Sequence, residues 1–300
     1  MLFKQVTIIG TGLIGGSLGL ALKKRGLAGR IVGCDRAATL ERAGDRGVID
    51  DRVVNPADAV RGSELIVLAA PVLATLDLIE RLGPALPSRT LVTDVGSTKL
   101  EITKRAGKAF GKTAGQRFLA GHPMAGKEQS GVEYADPDLF DGAAWLFTPL
   151  PRQNVHAGMC GEFVQCVEKL GAKVAVFDPA DHDRFCAWIS HLPQMISTAL
   201  AATLVDEFGS DAPMLDIGGR ALRELTRISG SPYSMWRDIA ITNRDNLSRA
   251  LLKLEQRLAH IRENLDTRQL AEEFERAHEL RKHPPRRHRG TEKSESQRAD

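Results

Sequence analysis

The sequence predicts an α/β fold, a doubly wound parallel sheet, followed by an all-α second half. Three observations carry this. Strand-like and helix-like runs alternate about six times between residues 4 and 121. The strand-like runs show no polar alternation, as expected when helices cover both faces of a sheet. Beyond residue 150 the periodicity is almost wholly helical.

KQVTIIG (4–10) is apolar and β-branched and reads as a buried strand. LIGGSLGLALKKRG (13–26) has helical spacing, with basic residues late and Gly26 as its stop. RIVGCD (30–35) is a second strand and ATLERAGDRG (38–47) a short helix. SELIVLAA (63–70) is a strand, and PVLATLDLIERL (71–82) is a helix opened by proline. TLVTDVGS (90–97) is a strand and TKLEITKRAGKAF (98–110) a helix. RFLAG (117–121) is a strand that delivers His122.

VHAGMCGEFVQCVEKLG (155–171) is helical, and AKVAVFD (172–178) is one more strand-like piece. From Pro179 to about Arg281 the periodicity is helical. These patterns divide the chain into residues 1–150, residues 151–282 and a tail, 283–300, with the first boundary later if 172–178 joins the sheet. Leu247, Leu251, Leu254, Leu258, Ile261 and Leu265 are spaced 4, 3, 4, 3, 4. That is a coiled-coil seam suited to a second copy of the chain, or else an amphipathic helix packed on its own domain. The tail has no apolar periodicity and is expected to be disordered.

Composition narrows the function classes. The 300 residues are 42% hydrophobic and 26% charged, which describes a globular chain. The 41 basic residues are interspersed with 38 acidic ones, and a net charge of +3 gives no dedicated nucleic-acid surface. Cys34, Cys160, Cys166 and Cys186 form no CxxC pair, so they read as reduced, mostly buried thiols of a cytoplasmic protein. No apolar run approaches the roughly 20 residues of a membrane span. The N-terminal apolar stretch is broken by Gly10 and Gly12 and does not read as a signal peptide.

GTGLIGGS (10–17) supplies GxGxxG between a strand and a helix, the context of a Rossmann-type dinucleotide domain. Gly10 permits the tight turn, Gly12 lets a pyrophosphate approach the backbone, and Gly15 lets helix and strand pack closely. The turn residues Gly10, Thr11, Gly12, Leu13, Ile14 and Gly15 are the expected cofactor contacts, with the helix N-terminus offering N–H groups to phosphate. Asp35 ends the second strand, 20 residues beyond Gly15. A carboxylate there accepts from ribose hydroxyls and repels a 2′-phosphate, which favours NAD. Arg36 beside it leaves NADP open.

DVGSTK (94–99) and AGHPMAG (120–126) both lie at carboxyl ends of strands, where such sheets bind ligands. Ser97 and His122 come from different segments and could face one crevice. A hydroxyl and an imidazole together can orient an alcohol and take its proton. Ser97 could also cap the helix expected from Thr98. An imidazole at its ordinary value of about 6.5 would make activity fall on the acid side. SHLPQ (190–194) adds His191, and LTRISGS (225–231) adds Arg227, a residue type suited to clamp a carboxylate. Glu224 lies one helical turn before Arg227, placed either to meet a substrate ammonium or to form a surface pair. No metal is required by this set.

The motifs GTGLIGGS, DVGSTK, GHPMAGKEQSGVEYA, SHLP, LTRIS and MWRDI, in this order across residues 4–280, resemble the prephenate dehydrogenase family, which includes arogenate and cyclohexadienyl dehydrogenases. The resemblance implies a dinucleotide domain, a helical domain that forms a homodimer, and NAD(P)-dependent oxidative decarboxylation on the route to tyrosine. It implies His122 as the catalytic histidine, Ser97 as its hydrogen-bonding partner, His191 as a substrate-pocket residue and Arg227 as the carboxylate anchor. Glu128 matches a position that closes the pocket. Some relatives carry a chorismate mutase or an ACT domain, and neither is expected here.

Two other classes share part of this pattern. β-Hydroxyacid and imine dehydrogenases share the glycine turn and a helical dimer but lack the GHPMAG loop. A dinucleotide-sensing protein without catalysis would not need His122, Ser97 and Arg227 together. Prephenate and arogenate differ only by a keto or an ammonium group, and the sequence leaves both open.

Overall fold

The structure, a computed structural model, describes residues 1–210 and 217–282. The expected tail, 283–300, lies outside the described residues. Among them, eight strands form one sheet in the order β3-β2-β1-β4-β5-β6-β7-β8. The strands are β1 (Phe3–Ile9), β2 (Ala28–Cys34), β3 (Asp51–Val53), β4 (Leu65–Leu68), β5 (Leu91–Asp94), β6 (Phe118–Pro123), β7 (Ala144–Thr148) and β8 (Lys173–Val176). The helices of this half are α1 (Leu13–Lys24), α2 (Ala37–Asp45), α3 (Pro56–Ala59), α4 (Val72–Leu82), α5 (Leu100–Phe110), α6 (Ala114–Arg117) and α7 (Gly158–Lys169).

The unbroken apolar strands are explained by a core on each face. In β4, Leu65 and Val67 join one core with Leu18 and Leu22 of α1, Leu40 of α2 and Phe163 of α7. Ile66 and Leu68 join the other, with Ile79 of α4 and Ile102 and Phe110 of α5. Every β4 side chain is thus buried on one face or the other, and the period-2 signal disappears.

The far edge of the sheet differs from the sequence reading. AWLFT (144–148) forms β7, which pairs antiparallel with β6, so the sheet is mostly rather than wholly parallel. β8 pairs with β7, and Phe163, Val164, Cys166 and Val167 of α7 lie in the first core. The sheet therefore runs past residue 150, the condition under which the sequence places the boundary later. Three-residue β3 and four-residue α3 carry too few residues to show a period.

The second half holds α8 (Pro179–Cys186), α9 (Leu192–Phe208), α10 (Gly219–Thr226), α11 (Tyr233–Thr242), α12 (Arg244–Glu263) and α13 (Arg268–Lys282). A π-helical turn, Ala187–His191, joins α8 to α9. Pro193 gives it a cause, since proline cannot donate to the carbonyl four residues back and its ring clashes there. α12 ends at Glu263, so the expected seam stops before Leu265. None of the described residues forms a helix long and apolar enough to cross a membrane.

Candidate active site

The strand order reverses between β1 and β4, which opens a crevice beyond their carboxyl ends. Gly10 turns the chain there with φ +96°, and a Cβ on it would lie 2.4 Å from the Ala69 carbonyl oxygen. A Cβ on Gly15 would meet the Gly10 carbonyl at 1.9 Å. At Gly12, in contrast, nothing lies within 4 Å. That open face lines a cavity of about 320 Å³ together with Leu13, Ile14, Ser97 and Glu128. α1 begins here with no side-chain cap and no acidic residue in its first turn, so its leading N–H groups are free for an anion. One Asp35 oxygen accepts from the Thr11 amide at 2.8 Å and the Thr11 hydroxyl at 3.3 Å. The other accepts from the Arg36 amide at 2.7 Å, and the Arg36 side chain is exposed. The carboxylate is thus fixed against the glycine turn, with lone pairs left for further donors.

His122 lies near the carboxyl end of β6 and is 7% exposed. Its backbone is gripped next door. The Gly121 amide donates to Asp94 Oδ1 at 3.3 Å, and its carbonyl accepts from Lys99 Nζ at 2.7 Å. Lys99 and Asp94 form a fully buried ion pair. Burial pushes Asp94 up and Lys99 down, and each charge opposes the other's shift. His122 Nδ1 lies 2.9 Å from His182 Nε2. Its other nitrogen makes no hydrogen bond and is not sealed from solvent. Burial holds the imidazole well below its ordinary value of 6.5, and His182, Lys99 and His191 act in the same direction. This corrects the expectation of a titration near 6.5: His122 stays neutral well into the acid range.

The helical half docks onto this edge through two buried carboxylates. Asp183 accepts from the Lys99 amide at 2.7 Å and the Leu100 amide at 3.0 Å, at the start of α5. Asp238 accepts from the Leu73 amide at 3.1 Å, in the first turn of α4. Each meets orphan N–H groups and the positive end of a helix dipole. Asp183 therefore does the capping expected of Ser97. α5 starts at Leu100, and Ser97 instead lines the cavity. No hydrogen bond joins Ser97 to His122, whose partner is His182, because Nδ1 points back into the protein toward α8.

His191 sits in the π turn and is 1% exposed. The Asn243 amide, which also donates to the Asp183 carbonyl at 2.7 Å, lies 3.2 Å from His191 Nδ1. Asn243 Oδ1 accepts from Asn246, so its nitrogen is the atom facing the ring, and His191 Nδ1 is an acceptor. The ring proton is then on Nε2, which is buried without a partner. Burial pushes His191 down to about 4, so it is neutral. Arg227 opens a 3-10 turn, Arg227–Gly230, and pairs with Glu128 at the cavity. Glu224 is not brought to the site. It pairs with Arg220 on its own helix at 2.8 Å, and its side chain is 64% exposed.

The sequence reading overlooked His182, Asp183, Lys99, Asp94, Asp238 and Asn243. Asp94 and Lys99 stood inside the quoted DVGSTK, where spacing alone gave no reason to prefer them to Ser97. His182-Asp183 carried one weak signal, an adjacent imidazole and carboxylate in the first turns of a helix opened by Asp178-Pro179.

Comparison with known proteins bears on both halves of the chain. A family model described as prephenate dehydrogenase, nucleotide-binding domain, matches residues 18–176. One described as prephenate dehydrogenase, dimerization domain, matches residues 178–280. A prephenate dehydrogenase of Lactococcus lactis subsp. cremoris is 34% identical over 248 residues, covering 80% of this chain. The chain spans only 65% of that relative's length. The crystal structure of prephenate dehydrogenase from A. aeolicus, in complex with hydroxyphenyl propionate and NAD+, superposes with a TM-score of 0.83 at 30% identity, covering 93% of this chain and 97% of that one. Synechocystis arogenate dehydrogenase superposes with a TM-score of 0.72 at 29% identity, covering 93% and 98%.

Proposed function

The chain belongs to the prephenate dehydrogenase family, and from that premise we propose that it catalyses the NAD-dependent oxidative decarboxylation of prephenate to 4-hydroxyphenylpyruvate. What supports this most is the state of His122: buried and neutral, with one ring nitrogen tied back into the protein and the other open, near the carboxyl end of β6, the sheet edge that also carries the glycine turn. The cleft fits the cofactor, since Gly12 leaves its face open and the first turn of α1 carries no acid. Gly10, Thr11, Gly12, Leu13, Ile14 and Gly15 would hold the pyrophosphate, and Asp35 the ribose. Bound NAD would take the hydride that leaves C4 of the substrate ring.

The chain's own residues handle the proton and the charges. Prephenate carries a 4-hydroxyl and, across the ring, a carboxylate. His122 Nε2 accepts the hydroxyl proton as the hydride departs. Loss of CO2 then sends its electron pair into the ring as a phenolate, which takes the proton back from His122 to become a phenol. Aromatisation drives the reaction, so the protein need only orient the ring, bind its carboxylates and hold the base. Ser97, whose hydroxyl is uncommitted, meets the substrate hydroxyl beside His122. His191 offers its unpartnered Nε2–H to a substrate oxygen. Arg227 anchors a carboxylate. Glu128 pairs with that guanidinium, and the substrate carboxylate competes with it there.

Two copies pair through their helical halves. The description of the second family model supports this, as do the exposed apolar side chains there. The four free, buried cysteines fit a cytoplasmic location. Arogenate remains the second reading, favoured by the likeness to the Synechocystis enzyme. The test is kcat/KM for prephenate and arogenate, each with NAD and NADP. Prephenate with NAD should give the highest value. A preference for arogenate would move the assignment to the second reading, and no NADH from either substrate would overturn both.

A further inference from the structure

Behind His122 lies a pair of side chains that no step above uses. Asp178 caps α8, accepting from the Ala180 amide at 2.8 Å and the Asp181 amide at 3.3 Å, which fixes the first turn of the helix. The next two residues, His182 and Asp183, are each 1% exposed. Asp183 cannot turn, because the Lys99 and Leu100 amides hold its two oxygens. Its Oδ1 lies 2.8 Å from His182 Nδ1. Asp183, His182 and His122 thus form one buried line ending at the open Nε2 of His122.

The line has a direction. Asp183 accepts from two backbone amides, so it also accepts from His182, and the His182 proton is on Nδ1. Burial keeps His182 below its ordinary value, so the ring is neutral and its Nε2 is an acceptor. His122 must then donate through Nδ1–H, which leaves the lone pair on Nε2. The opposite tautomer would set two lone pairs against each other 2.9 Å apart in a buried place and forfeit a hydrogen bond. Cys186 Sγ lies 3.5 Å from His182 Nε2. Its thiol is pushed up to about 12 by burial, so it stays protonated beside the two rings. Together with Cys186, the charged and titratable groups packed around the line are Asp94 and Lys99 from β5 and its exit, and His191 from the π turn.

We propose that His182 and Asp183 are positioning residues that fix the tautomer of His122, so that Nε2 always faces the substrate as a base. No proton moves along the line. The substrate proton goes to His122 Nε2, and Nδ1–H keeps its bond to His182, which supports the imidazolium through the Asp183 carboxylate.

This inference rests on His122 being the base, so its test separates the two. His182→Leu keeps apolar packing but removes the acceptor, and His182→Gln restores an acceptor oxygen. In His182→Leu, kcat should fall about tenfold to a hundredfold, less than the 10²–10⁴ that a positioned base is worth. KM for prephenate and Kd for NAD should stay within about twofold, and His182→Gln should recover most of kcat. Combined with His122→Asn, His182→Leu should cost nothing further, because it acts only through His122. A purely structural role would instead make the two losses add. If His182→Leu does not fold, His182→Met carries the same test. A fully active His122→Asn variant would overturn the reading of the base itself. An impaired His122→Asn variant with full activity in His182→Leu, or with additive losses, would overturn this inference alone.

Discussion

The two halves of the chain bury themselves differently. In the α/β half, both cores close among residues 3–172, and Trp145, Phe147 and Phe163 are fully buried there. In the helical half, Ile239, Leu247 and Ala250 are among the few buried apolar residues, while Leu225, Tyr233, Leu258 and Phe274 are more than half exposed. α10 and α13 bury no residue at all. The first half builds both of its cores from its own residues. The second leaves apolar side chains exposed, the surface that the proposed dimer would cover. The candidate site lies on the seam between them, where Asp183 and Asp238 cap helices of the other half.

The contrast can be broken by mutation. Phe163→Ala should cost about 3–5 kcal/mol, because it opens a cavity in a closed core. The fall in Tm should be the same at every protein concentration. Leu254→Lys with Leu258→Lys should leave the α/β half folded and split the dimer, since charge is then buried at the seam. Sedimentation should give the mass of one chain, and wild-type Tm should rise with concentration where the double variant's does not. An unchanged mass with normal folding would mean that the stripe packs within one subunit.

Smaller effects sharpen the picture at the seam. Arg227→Ala should raise KM for prephenate about tenfold, with kcat less affected and KM for NAD unchanged. Arg227 is 62% exposed, so the loss should fall at the low end of what a desolvated charge pair costs. Arg227→Lys should restore only part of it, lacking the guanidinium fork. KM within about twofold of wild type would place the anchor elsewhere. The smallest effect is on stability against pH. His122, His182 and His191 are all held below their ordinary value of 6.5 by burial. Their contribution is full above 6.5. It is lost as pH falls below that, because the unfolded chain takes up protons that the folded one refuses. Melts from neutral pH down to about pH 5 should lose a few degrees, and His191→Asn should lose less.

What the sequence could show followed the range of each interaction. Gly10, Gly12 and Gly15 act within one turn, and the motif displays them whole. His122 was legible because its loop is stiff and sits at a strand end. β7 was missed because five residues show no period and its antiparallel partner lies more than 20 residues back. His182 meets His122 across 60 residues, Asp183 caps α5 across 83, and Asp238 reaches α4 across 165. No local pattern announces such pairings. Glu224 misled for the opposite reason. It has an arginine about one helical turn away on either side, and the exposed one behind it, Arg220, took it.

In the proposed reaction His122 is the base at a cleft that binds NAD independently of it. The direct measurement is NADH absorbance on mixing the protein with NAD and prephenate, for wild type and for His122→Asn, with NAD binding followed in parallel by calorimetry. His122→Asn should bind NAD as wild type does and lose roughly 10²–10⁴ in kcat. Wild-type kcat should hold steady as pH falls through 6.5, because burial keeps the imidazole neutral there. A His122→Asn variant that forms NADH at the wild-type rate would contradict the claim outright.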